Sequence, residues 1–159
     1  MKHGMLGNLL LCIIICEVAG IAGSVFTIPS IPVWYASLQK PGFSPPNWIF
    51  APVWTALFAL MGISLYLVVK QGLGKREVRT AVFVFAVQLA LNAIWSFLFF
   101  GLQNPYLGLV EIAILWVAIL LTTTKFYPID RRASYLLVPY ILWVTFAAFL
   151  NCSIWMLNV

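Results

Sequence analysis

The chain has 159 residues, enough for one domain, and is 64% hydrophobic with only 8% charged residues and a mean hydropathy of +1.03. A soluble domain carries about 25% charged residues, so the polar side chains here are too few to coat a water-facing particle, and lipid is the expected solvent. The net charge of +5 does not point to nucleic acid, because the basic residues cluster in short segments between apolar runs.

Five stretches read as membrane helices, each long enough to cross roughly 30 Å of hydrocarbon. The first runs from about residue 5 to 28. Its opening, "MKHGMLGNLLLCIIICEVAG", has the basic start and apolar core of a signal peptide. The apolar run continues past Glu17 and lacks a clean A-x-A site, so it is read as a span. Cys12 and Cys16 lie one turn apart in it; with Cys152 they form no CxxC or Cys/His cluster, and all three are expected to be apolar thiols. The only histidine, His3, sits in the N-terminal tail, which argues against a His-ligated metal or haem iron.

Residues 29–46 connect the first two spans and are unlike an ordinary short polar loop. Across 34–54, "WYASLQKPGFSPPNWIFAPVW" holds three tryptophans, four prolines and one charge, Lys40. The second span is expected over 47–70, with Ser44 capping a first turn that opens on Pro45 and Pro46. Trp54, Phe58 and Met61 recur on one face of it. The third span is expected over 79–101, with Gln88, Asn92, Trp95, Ser96 and Phe99 on one face, and an amide on such a face should look inward. For Gln88 the plainer reading is a polar joint between helices. "GLQNP" supplies a stop, an N-cap at Asn104 and Pro105 for the first turn of a fourth span, 105–126. Glu111, near the start of that span, is expected to reach water. The fifth span, 130–157, starts from an Asp130 cap and should kink at Pro139. Its stripe is Tyr140, Trp143, Ala147, Asn151 and Ile154, a small residue between large rings, with Trp155 alongside.

Basic residues divide unequally between the two sides. Lys2, Lys70, Lys75, Arg76, Arg79, Lys125, Arg131 and Arg132 share one side, and Lys40 stands alone on the other. The positive-inside rule then places the N-terminus in the cytoplasm and the C-terminus outside. Ala19 with Gly23, and Ala86 with Ala90, are small-xxx-small pairs suited to close helix contacts within the monomer or a dimer. Glu17 and Glu111 lie within apolar runs, where a carboxylate is a functional candidate, but neither has a carboxylate partner spaced for acid–base work, and no Ser/His/Asp set, P-loop or HExxH occurs. Three aromatic-rich faces in a small bundle can instead line an apolar cavity for a flat conjugated guest.

The combination KPxxxPPxW, N-x-x-W-S and W-x-x-F-x-x-x-L-N, in that order over almost the whole chain, resembles the TspO family of tryptophan-rich sensory proteins, also called translocator protein or peripheral benzodiazepine receptor. The resemblance implies an all-α bundle of five transmembrane helices, often a homodimer, with the first loop folded over a pocket as a lid. It implies binding of protoporphyrin IX or haem and of benzodiazepine- or isoquinoline-type ligands. By motif, the pocket residues are Trp34, Trp48, Trp54, Asn92, Trp95, Trp143, Ala147 and Asn151; the stripes add Phe58, Phe99 and Tyr140. No cofactor is required, porphyrin being ligand or substrate. Three functions fit: a tetrapyrrole receptor or carrier, a light- and oxygen-dependent porphyrin-degrading enzyme, or a regulatory membrane partner. Cys152 stands where mitochondrial members have a sterol-associated tyrosine and no basic residue follows, while Leu60–Tyr66–Lys70 is only a loose sterol pattern, so cholesterol transport is not expected. The charge pattern and short tails suggest a prokaryotic plasma membrane.

Overall fold

In a bilayer, backbone N–H and C=O groups must bond within the protein, and helices achieve this within one segment. The computed structural model describes residues 2–159, with side chains from residue 5 onward, so the side chains of Lys2 and His3 lie outside the described residues. It is all-helical, and five helices are long and apolar enough to span a membrane. They are α1, Lys2–Ser30 continued by a π-helical turn Ile31–Tyr35; α2, a 3₁₀ turn Asn47–Ile49 leading into Phe50–Val69; α3, Arg76–Ser96 with a π-helical turn Phe97–Gly101; α4, Pro105–Phe126; and α5, Arg131–Leu136 followed by Val138–Leu157.

Several ends differ from the sequence expectation. α1 runs on through Pro29 and Pro32 to Tyr35, so the lid is shorter than 29–46. A proline removes one helical donor, and widening to a π turn lets the remaining N–H groups find more distant carbonyls. Ser30 adds a bond from its Oγ to the carbonyl of Phe100 at 2.8 Å, which ties this turn to the π turn of α3. Ser44 does not cap α2; its N–H closes a turn onto the carbonyl of Pro41 at 2.9 Å, and Pro46 is extended at ψ 141°. The residue before a proline is pushed out of the helical region, which holds Pro45 outside the helix as well. α3 starts at Arg76, three residues early, with Glu77 in its first turn favoured by the helix dipole. The Asn104 and Asp130 caps form as expected: Asn104 Oδ1 accepts from Leu107 N–H at 3.0 Å, and Asp130 Oδ1 from Arg132 N–H at 2.9 Å. α5 breaks at Leu137, two residues before Pro139.

α1 packs on α2 and α3, α3 on α4, α4 on the long part of α5, and α2 on the first turns of α5, closing a ring in the order α1–α2–α5–α4–α3. The close approaches are made at small residues. A methyl group at Gly62 would overlap the backbone of Ile13, and one at Gly20 would overlap the ring of Phe58. At Gly23 it would come within 3.0 Å of Ser96 Oγ. The expected Ala19–Gly23 pair therefore serves the monomer, whereas Ala86 and Ala90 are exposed on α3.

The lysines and arginines of the α2–α3 and α4–α5 connections gather at one end, here the basic end, and the lid covers the other. One apolar core fills the basic half, with Phe85 stacked on Phe126 at 5.7 Å and Tyr140 fully buried. A second lies under the lid around Tyr35, Phe99, Phe100, Leu150 and Ile154.

Gly62→Ala is expected to cost about 1–3 kcal/mol, as overpacked sites do. A lowered thermal midpoint in detergent reads it. Gly42→Ala, with open space around the added carbon, should leave the midpoint unchanged. Equal midpoints would contradict the tight α1–α2 contact.

Candidate functional site

The two cores are joined on one side by a cavity of about 320 Å³, walled by α1, α2, α3 and α5. Trp54 and Phe58, one turn apart on α2, face each other at 5.7 Å. From α3, Trp95 stacks on Phe99 at 5.2 Å with the planes 19° apart. α5 contributes Trp143, which meets Phe50 of α2 at 6.1 Å, and Ala147, the small residue one turn beyond. Asn92, Ser96, Asn151 and Ile154 of the expected stripes also lie in the wall, joined by Leu150, which was not expected there; Met61 does not reach it.

The polar groups are mostly committed. Asn92 Nδ2 donates to Tyr140 Oη at 3.0 Å, and Tyr140 Oη donates to Gln88 Oε1 at 3.0 Å. Gln88 is thus a buried joint between α3 and α5 rather than a wall residue. Trp95 Nε1 donates to Asn151 Oδ1 at 3.2 Å, and Asn151 Nδ2 to the carbonyl of Pro105 at 2.8 Å, which locks α3, α4 and α5 together beneath the rings. In the α1 and α2 walls, Ser24, Thr27 and Thr55 turn their hydroxyls back onto carbonyls of their own helices. Trp143 Nε1 is buried without an acceptor. The wall is therefore a set of aromatic and methyl surfaces with oriented amides, suited to stacking on a planar guest.

Of the eleven expected pocket residues, Trp54, Phe58, Asn92, Trp95, Phe99, Trp143, Ala147 and Asn151 line the cavity. Three do not. Tyr140 is fully buried behind the wall and holds Asn92. Trp34 packs under the lid, edge-on to Phe99 at 5.4 Å. Trp48 is 73% exposed on the first turn of α2. Glu111 does not reach water: it is 5% exposed and both carboxyl oxygens lack partners, because this face of α4 turns into the bundle. Cys12 and Cys16 are buried and Cys152 half-buried, all free, and no metal-binding cluster of His, Cys, Asp or Glu occurs among the described residues.

The sequence reading singled out Glu17 as an acid within an apolar run but missed the α1 stripe it belongs to. Glu17, Gly20, Ser24 and Thr27 line the cavity, and their spacing of i, i+3, i+7 and i+10 places them on one helical face. This stripe of small and polar residues was legible in principle, hidden by the uniform hydrophobicity around it. Phe50 and Phe100 were also missed.

The lid is held to the end of α5. Gln39 N–H donates to Asn158 Oδ1 at 3.0 Å, and Asn158 Nδ2 donates back to the Gln39 carbonyl at 2.9 Å. Lys40 folds onto the lid, its Nζ 4.7 Å from the ring centre of Tyr35 and 3.1 Å from the Leu38 carbonyl.

Known proteins share this chain almost end to end. Residues 12–156 match the TspO/MBR family. The chain is 49% identical over 151 residues to the tryptophan-rich protein TspO of Chlorobaculum tepidum, covering 95% of this chain and 96% of that one. It is 48% identical over 139 residues to the TspO of Archaeoglobus fulgidus, covering 87% and 89%. Against the human translocator protein it is 38% identical over 123 residues, covering 77% and 73%. With five membrane-spanning helices and this likeness across nearly its full length, the chain belongs to the TspO/MBR family of multi-pass membrane proteins.

Proposed function

We propose that the protein is a tetrapyrrole-binding receptor or carrier of the membrane, taking protoporphyrin IX or haem and also benzodiazepine- or isoquinoline-type aromatic ligands. The observation that carries this reading is the wall itself: three indoles, Trp54, Trp95 and Trp143, and the rings of Phe50, Phe58 and Phe99 surround one cavity with few free polar groups. A planar conjugated guest replaces ring–lipid contacts by ring–ring contacts and leaves the internal bonds of Asn92, Trp95 and Asn151 unbroken. The same reading includes a homodimer, for which exposed Ala86 and Ala90 on α3 offer a close-packing face. It places the protein in a prokaryotic plasma membrane with the N-terminus in the cytoplasm, because the basic end carries nearly all the lysine and arginine.

A second reading, light- and oxygen-dependent porphyrin degradation, rests on the indoles being in the wall, where each is placed to give an electron to an excited guest. Trp54→Phe, Trp95→Phe and Trp143→Phe separate the two. If the protein binds without chemistry, each should weaken porphyrin binding by about 0.5–1.5 kcal/mol, read by fluorescence titration, with no change in bleaching under light. If one tryptophan takes part in photochemistry, absorbance decay under illumination should collapse in its variant while affinity stays within that range. Three variants matching wild type in both assays would remove these rings from the site.

Ala147→Leu adds volume at the wall position between Trp143 and Asn151. It should lower affinity for a bulky isoquinoline ligand at least about tenfold, the scale of an overpacking penalty, with the thermal midpoint retained. Unchanged affinity would place the guest elsewhere.

The topology has its own test. Reporter fusions that report from the cytoplasm should be active at the N-terminus and in the α2–α3 connection, and silent after Val159. A cytoplasmic C-terminus would overturn the orientation.

A further inference from the structure

At the basic end of the bundle a second cleft, of about 630 Å³, opens between the start of α3 and the end of α4. Lys75, Arg76 and Lys125 line it, against a single acid, Glu77. The neutral polar side chains in its wall are committed elsewhere: Thr80 Oγ1 donates to the Arg76 carbonyl at 3.0 Å, and Gln71 Nε2 to the Leu67 carbonyl at 3.4 Å. Two other cations at this end lie over rings, Lys70 at 5.7 Å from the centre of Tyr66 and Arg131 at 5.4 Å from that of Tyr127. The cleft therefore offers positive charge and little else. Directly below it the surface turns apolar. Lys125, Leu121, Val117 and Ile114 recur at i, i−4, i−8 and i−11, one face of α4, and the three apolar residues are exposed. On α3, exposed Phe83 follows Thr80 by one turn.

We propose that this cleft binds the headgroup phosphate of an anionic diacyl phospholipid, whose chains lie along the apolar face of α4. The proposal is independent of the tetrapyrrole reading and concerns the opposite end of the bundle from the lid. Charge complementarity selects the head: three cations against one acid favour an anionic lipid over a zwitterionic one, whose own cation would meet Lys75, Arg76 and Lys125. The apolar face selects a lipid over a soluble phosphate. From Lys125 to Ile114 the helix rises about 16 Å, close to the depth of one leaflet of a roughly 30 Å hydrocarbon core. Head and chains thus meet matching surfaces at matching depths. Exposed lysines and arginines hold a free anion weakly in water, whereas a leaflet presents phosphates at the height of the cleft and keeps them there.

The test uses the full-length protein in phosphatidylcholine bilayers with a trace of chain-spin-labelled phosphatidylglycerol or phosphatidylcholine, the motionally restricted fraction reporting lipid held at the protein. At low salt wild type should prefer phosphatidylglycerol at least about fivefold, the scale of one basic residue at an anionic surface. The triple variant Lys75→Gln, Arg76→Gln, Lys125→Gln should bring the two lipids within about twofold of each other. All three positions are exposed, so its thermal midpoint should stay at the wild-type value. A second triple variant, Lys70→Gln, Arg79→Gln, Arg132→Gln, removes the same charge from this end outside the cleft and should keep the preference. Glycerophosphoglycerol, the same headgroup without chains, should not displace the labelled lipid at matched ionic strength. No preference in wild type, or an equal fall in both triple variants, would overturn the proposal, the latter by reducing it to the general charge of this end. Displacement by the chain-free headgroup would assign the cleft to a soluble phosphate and overturn it as well.

Discussion

Ser64 Oγ donates to the carbonyl of Ala133 at 2.7 Å and pins α2 to the first turn of α5 at the basic end of the bundle. Next to it Gly62 lets α1 come so close that no side-chain carbon fits between the helices. Lipid tails are as apolar as leucine, so such contacts hold by packing and internal hydrogen bonds rather than by expulsion of water. α2 touches α5 through those first turns and diverges from its longer part. The space left between α2 and α5 is what the aromatic rings border. A bundle tightened equally at both ends would have no cavity, and one loosened at the basic end would have no fixed wall.

The polar residues divide into those that hold the wall and those that face the guest. Gln88, Tyr140 and Asn92 form one chain of bonds between α3 and α5; Trp95, Asn151 and the Pro105 carbonyl form another that includes α4. Because Asn92 and Asn151 have their partners before a guest arrives, the rings are oriented in advance, which lowers the ordering cost of binding. α4 contributes nothing to the wall and acts through Gly108, where a methyl group would come within 3.0 Å of Asn151 Oδ1. The lid is fastened differently, by the paired bonds of Asn158 to Gln39 and by Phe43, edge-on to Phe146 at 6.3 Å. The rings are thus held by buried bonds between helices, and the lid by exposed ones.

The spans, the Asn104 and Asp130 caps and the α2, α3 and α5 stripes of the wall were legible in the sequence because each has a local cause: hydropathy over a fixed length, a side-chain acceptor at a helix start, or a helical stripe of amides and rings. What escaped had non-local causes. The prolines at 29 and 32 mark a loop by ordinary rules, yet the π turn and the Ser30 bond to Phe100 keep them helical. Tyr140 shares a face with Trp143, but its hydroxyl is drawn toward Gln88 and Asn92, which takes the ring behind the wall. Trp48 belongs to the same motif as Trp54, and only the 3₁₀ start of α2 shows that it points out. Glu111 lies on the face of α4 that the neighbouring helices cover, a fact no single helix reveals.

The central claim is that an aromatic cavity inside the monomer holds a tetrapyrrole. Titrating the purified protein with protoporphyrin IX while following intrinsic tryptophan emission tests it most directly, since three of the seven tryptophans border the cavity. The account predicts quenching that saturates at one porphyrin per chain and is reversed by an isoquinoline ligand competing for the same rings. Quenching that rises without saturation, in proportion to the porphyrin dissolved in the detergent and indifferent to the competitor, would contradict it.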